Sequence, residues 1–179
     1  ATVGGNLCNA SPAADGVPPL LTLDASVELM STRGSRRLPL ESFLTGYRET
    51  ALREDELLTA VLVPRGIEGS RSAFAKLGLR RYLVISVVMV AVVVAIDGEG
   101  LVGEARIAVG ACSPVARRLR SLESHLQGRR IDSVGPAAIA EHLSALTPID
   151  DVRATADYRR HAAAVLVRRA LARCEAVAA

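Results

Sequence analysis

The chain has 179 residues, 50% of them hydrophobic and 23% charged, enough for one ordinary domain or two small ones around a real core. Its net charge of +3 comes from 21 arginines and a single lysine dispersed among 19 acids, with aromatics at only 3%. That balance argues against a nucleic-acid surface, which needs clustered cations and stacking rings.

In chain order, the first stretch to read is Ala1-Thr2-Val3-Gly4-Gly5-Asn6-Leu7-Cys8-Asn9-Ala10-Ser11-Pro12-Ala13-Ala14-Asp15. Adjacent glycines among small and polar residues let a backbone turn approach a ligand closely. A nest of N–H groups there suits a phosphate, and Thr2, Asn6, Asn9 and Ser11 add neutral donors. Asp15, an acceptor only, suits ribose or ribityl hydroxyls instead. There is no Gly-x-Gly-x-x-Gly opening a helix and no Gly-Lys-Ser/Thr, so neither a dinucleotide fingerprint nor a P-loop is supported.

A short buried segment follows Pro18, then a hairpin in which Thr22 to Met30 alternates, Thr32 to Ser35 turns and Arg36 to Leu40 returns. A helix is expected from about Leu40 to Thr50, with Phe43, Leu44 and Tyr47 on its inner stripe. The strand Leu57 to Val63 stops at Pro64, and Arg65 to Ser70 reads as a linker. Strands are then expected at Ser72 to Gly78, Leu83 to Ile96 and Leu101 to Ala111, the last two joined by Asp97-Gly98-Glu99-Gly100. Helices follow at about Ala116 to Leu126, Pro136 to Leu146 and Asp157 to Cys174, the last with Ala162, Val165, Leu166 and Ala170 facing the sheet. His161 reads as a solvated residue.

The run Leu83 to Ile96 is too short for a membrane span and reads as a valine-rich buried strand. No charged n-region and h-region are seen at the start, so no signal peptide is expected. Cys8, Cys112 and Cys174 are odd in number and far apart, offering neither a disulfide framework nor a metal spacing. A reduced, cytoplasmic location is the expectation, and no residue is assigned to a metal.

The opening run resembles the second FAD-binding motif of the flavin subunit in the molybdenum hydroxylases, the xanthine dehydrogenase and carbon monoxide dehydrogenase family. The resemblance continues through Glu56-Leu57-Leu58-Thr59-Ala60-Val61-Leu62-Val63-Pro64 and Ala73-Phe74-Ala75-Lys76-Leu77-Gly78-Leu79-Arg80-Arg81. Ile107-Ala108-Val109-Gly110 and Arg153-Ala154-Thr155-Ala156-Asp157-Tyr158-Arg159-Arg160 complete it, so that it covers nearly the whole chain in order.

The resemblance implies an α+β chain: the C-terminal part of an FAD-binding subdomain over 1–66, then a three-stranded antiparallel sheet packed with helices over 70–179. FAD is the implied cofactor, with contacts at Thr2, Val3, Gly4, Gly5, Asn6, Asp15, Leu58 and Lys76. Lys76 is the one lysine in a chain that elsewhere uses arginine, which itself hints that a compact ammonium is wanted there. The implied partners are a molybdopterin-binding large subunit and an iron–sulfur small subunit, this chain passing electrons from iron–sulfur clusters through the flavin to an external acceptor. No catalytic side chain is required for that role, and no triad or acid–base pair is evident. Tyr82-Leu83-Val84 stands where the xanthine dehydrogenase form has acidic residues, which leaves the acceptor open. The family's first glycine-rich FAD loop lies before this point, so the alternative is a non-catalytic assembly fragment that binds no flavin alone.

Overall fold

The structure, a computed structural model, describes residues 2–176. Its largest sheet is antiparallel and four-stranded, in the order β6-β7-β8-β9: β6 Arg71–Leu77, β7 Val88–Ile96, β8 Val102–Gly110 and the two-residue β9 Arg117–Arg118. The three expected strands are its first three members, and β9 adds a fourth by pairing with Ala108 and Val109. Every residue from Val88 to Val94 is buried, so both faces of the sheet need a cover.

One face is covered by α4 Arg120–Leu126, α5 Pro136–Glu141 and the long α6 Ala156–Ala176. Val90, Val92, Ile107 and Val109 meet Leu122, Leu126, Ile139, Val167 and Leu171 in this core. The other face receives α2 Val17–Thr22, which opens with Pro18 and Pro19 where a missing N–H costs nothing. A Cβ on Gly110 would lie 2.5 Å from Met89 Cε and 3.0 Å from Pro18 Cγ, so only glycine allows α2 to seat this closely.

The first part of the chain builds a second core from Leu7, Leu21, Val27, Leu29, Leu40 and Phe43, with Ala108 of β8 contributing from below. It holds α1 Val3–Cys8 and a three-stranded sheet in the order β2-β1-β5, from β1 Ser26–Ser31, β2 Gly34–Pro39 and β5 Leu57–Leu62.

Four expected elements differ. The helix from Leu40 is a single turn, α3 Leu40–Phe43, after which β3 Leu44–Gly46 and β4 Glu49–Thr50 form a small hairpin. Phe43 and Leu44 are both buried, and the Ala51 N–H bonds back to the Phe43 carbonyl, which a continuing helix could not allow. Residues 78–86, expected partly as strand, form a loop closed by the Val87 N–H on the Leu77 carbonyl, with Leu83 92% exposed at φ +49°. The helices near 116 and 136 are trimmed, because residues 117–118 extend the sheet and α5 ends at Glu141 with His142 as its cap.

Arg118 locks the two cores together. Its guanidinium, 3% exposed, donates to the Leu21 carbonyl at 3.1 Å, to Asp24 at 2.8 Å and to Glu123 at 2.5 Å. Burial pulls its pKa down, but the bonds and charges of Glu123 and Asp24 outweigh this and hold it above the ordinary arginine value. Glu123 also accepts from the Ile107 N–H of β8 at 2.8 Å. Arg118→Met strands Glu123 without its partner, and a broken buried pair costs roughly 3–5 kcal/mol. Denaturant unfolding of wild type and variant measures this; a loss no larger than the ~1 kcal/mol typical of an exposed pair would sink the assignment.

Candidate functional site

The residues singled out in the opening run lie on an exposed face of the smaller core. Contrary to the expected open nest, Gly4 and Gly5 are helical, and neither has a positive φ. Thr2 is the N-cap, its Oγ1 accepting the Gly5 N–H at 3.0 Å. The glycines serve close packing and exposure instead. A Cβ on Gly4 would touch Leu58 Cδ2 at 3.5 Å, so α1 rests on β5 at the residue that the sequence pointed to. Val3 remains 59% exposed beside them.

Asn6 links this helix to the following loop, its Oδ1 lying 3.0 Å from where a Cβ on Gly16 would stand. Next to Gly16, Asp15 takes two side-chain bonds across the molecule. Its Oδ2 accepts from Lys76 Nζ at 2.5 Å, and its Oδ1 from Ser86 Oγ at 2.6 Å. Thus Thr2, Val3, Gly4, Gly5, Asn6, Asp15, Leu58 and Lys76 form one chain of neighbours from α1 to β6. Lys76 and Asp15 already satisfy each other, where the sequence suggested two separate ligand contacts.

Ser86, 1% exposed, was not singled out. Its signal was a lone hydroxyl inside an apolar run, a residue that needs a partner when buried. Tyr47, read as a helix residue facing the core, is instead 63% exposed in the turn between β3 and β4, its ring 5.9 Å from the Arg48 guanidinium carbon.

Tyr47, Arg48, Ser86 and Ser113 line a cleft of about 560 Å³ that also takes in Asp151, Arg153 and Arg159. The arginines were visible only as part of a family landmark. Arg159, 3% exposed, donates to the carbonyls of Val87 at 2.6 Å and Ala111 at 3.2 Å and to Asp151 at 2.6 Å. Burial opposes ionisation of Asp151, but the Arg153 N–H and the Arg153 and Arg159 guanidinium groups overcome it and hold its carboxyl down to about 2.

Residues 1–66 match the family model described as the FAD binding domain in molybdopterin dehydrogenase, and residues 73–174 match that of the CO dehydrogenase flavoprotein C-terminal domain. The chain belongs to this family of molybdopterin dehydrogenase flavoproteins. It is 33% identical over 181 residues to the xanthine dehydrogenase FAD-binding subunit of Escherichia coli O157:H7, spanning 100% of this chain and 61% of that one. It is 38% identical over 130 residues to the nicotinate dehydrogenase FAD-subunit of Eubacterium barkeri, covering 71% of this chain and 44% of that relative. A solved CO dehydrogenase from Oligotropha carboxidovorans superposes with a TM-score of 0.90 at 29% identity, over 98% of this chain and 61% of that one. Among the described residues no helix is long and apolar enough to cross a membrane.

Because the folded pKa of Asp151 lies below its unfolded value of about 3.9, its contribution to stability is present above that pH and is lost as pH falls toward about 2. In Asp151→Asn this loss disappears. The stability gap between wild type and variant therefore narrows as acid unfolding is measured from about pH 5 down to about pH 2; a gap independent of pH would contradict the ion pairing.

Proposed function

We propose that this chain supplies the second part of an FAD site and acts as the electron-transferring flavin component of a molybdenum-containing hydroxylase or dehydrogenase. The observation that carries the reading is the gathering of Gly4 on Leu58, Asn6 on Gly16, and Asp15 on Lys76 into one exposed patch, with the buried Ser86 bonded to Asp15. The chemistry of that patch fits a flavin nucleotide. Val3 and Leu58 offer apolar contact for a ring, Thr2 and Asn6 neutral hydrogen bonding, Asp15 a carboxylate for sugar or ribityl hydroxyls, and Lys76 a cation beside it.

When bound, FAD supplies the redox chemistry, taking up and releasing electrons singly or as a hydride. The side chains of this chain bind and orient. Lys76 and Ser86 together fix both oxygens of Asp15, so the acceptor is preorganised for a hydroxyl. Gly5 leaves room for the Thr2 cap, since a Cβ there would stand 3.0 Å from Thr2 Oγ1.

In this role residues 1–66 form the flavin unit and residues 70–179 the unit that backs it. A molybdopterin-binding large subunit would oxidise the substrate, and an iron–sulfur small subunit would relay electrons to this chain and on to an external acceptor in the cytoplasm. The chain spans 61% of its Escherichia coli relative.

The test is the visible spectrum and bound-nucleotide content of the chain, purified alone and with its partner chains. Stoichiometric flavin in either preparation, reduced at least tenfold by Lys76→Met or Gly5→Val, supports the reading. Colourless preparations that still hold the partner chains would replace it with the assembly-fragment role.

A further inference from the structure

On the far side of the four-stranded sheet, away from the flavin patch, the fold brings together two of the chain's three histidines. His125 lies in the last turn of α4 and His142 caps the C-terminal end of α5. Their ring centroids are 4.7 Å apart, with the planes tilted by 45°. Ser121, one turn before His125 on α4, places its Oγ 2.7 Å from His142 Nδ1. We propose that His125 and His142 form a binding site for a divalent transition-metal ion that favours imidazole, of the zinc and copper class.

Three independent features support it. The first is spacing. Two imidazoles bound through one nitrogen each at ~2.0–2.1 Å, with angles at the metal between about 90° and 109°, put their ring centroids roughly 4.5–5.3 Å apart. The observed 4.7 Å falls in that interval. The second is orientation. The Ser121 hydroxyl holds the His142 ring through Nδ1 and leaves Nε2 as the outward nitrogen. In the tautomer that donates Nδ1–H to that hydroxyl, Nε2 carries the free lone pair, the arrangement that orients ligating histidines in metal proteins. The third is field. Both histidines sit at carbonyl ends of helices, where the partial negative charge favours a cation.

Among the described residues no group of three or more His, Cys, Asp and Glu side chains is arranged to hold a metal. Water therefore completes the coordination shell, and the ion clips α4 to α5 reversibly. Nothing in the sequence marks the site, because the two histidines are separated by a 3₁₀ turn and a helix and share no motif spacing.

Calorimetric titration of the intact chain with Zn²⁺ tests the site. One ion per chain is expected, with affinity at least tenfold weaker in His125→Gln and in His142→Gln and about tenfold weaker in Ser121→Ala. The exposed His161 on α6 is the control, and His161→Gln should bind as wild type. Circular dichroism verifies that each variant is folded. If wild type takes up no ion at about 1 mM Zn²⁺, or if His161→Gln weakens binding as much as the pair variants do, the site is refuted and the two rings are only a stacked pair.

Discussion

The constraint on which the structure depends is the burial of β7 on both faces. A strand whose residues from Val88 to Val94 are all removed from water needs an apolar layer above and below. Helix α6 covers one face through Val167 and Leu171, while α2 covers the other through Pro18, against Met89 and Gly110. The second contact joins the two parts of the chain into one packed body. The smaller core is therefore seated on the larger sheet, with Ala108 buried in it.

Burying that junction also encloses polar groups, and two buried arginines satisfy several of them. Arg118 gathers a carbonyl and two carboxylates at the edge of α2, and Arg159 gathers two carbonyls and Asp151 at the base of the cleft. A planar guanidinium with five donors can meet several acceptors at once, which an ammonium cannot do in the same geometry. Arg159 nonetheless leaves its Nε without a partner, so its surroundings meet four of its five donors at most. The single lysine has a different task. Lys76 reaches Asp15 as a compact charge across the gap between β6 and the loop before α2.

The patch proposed for the flavin inherits its geometry from this arrangement. Asp15 belongs to the loop that leads into α2, whereas Lys76 and Ser86 belong to β6 and to the segment just before β7. Seating α2 on the sheet is what brings these three side chains together. The same seating opens the cleft beside Ser86 and Ser113, with Tyr47 and Arg48 at its edge. The ion pair and the cleft thus both follow from the seating of α2 on the sheet.

The sequence by itself determined the elements whose signal is local. The valine run from Val88 on and the Asp97-Gly98 turn appear where the local pattern put them. The strand starts five residues later than expected, and α6 buries Val167 and Leu171 rather than Val165 beside Ala162, Leu166 and Ala170. The residues carried over for the flavin lie on one patch, since the opening motif and Leu58 are held by a short helix on an adjacent strand. Tertiary structure alone decided the rest. The Leu40 helix stops after one turn because the chain enters the β3–β4 hairpin, whose return places the Ala51 N–H on the Phe43 carbonyl that a helix would have used, and local propensity yields to tertiary pairing. The pairing of Asp15 with Ser86 and the meeting of His125 with His142 join residues far apart in sequence. No periodicity reports such contacts; they exist only once both faces of the sheet are covered.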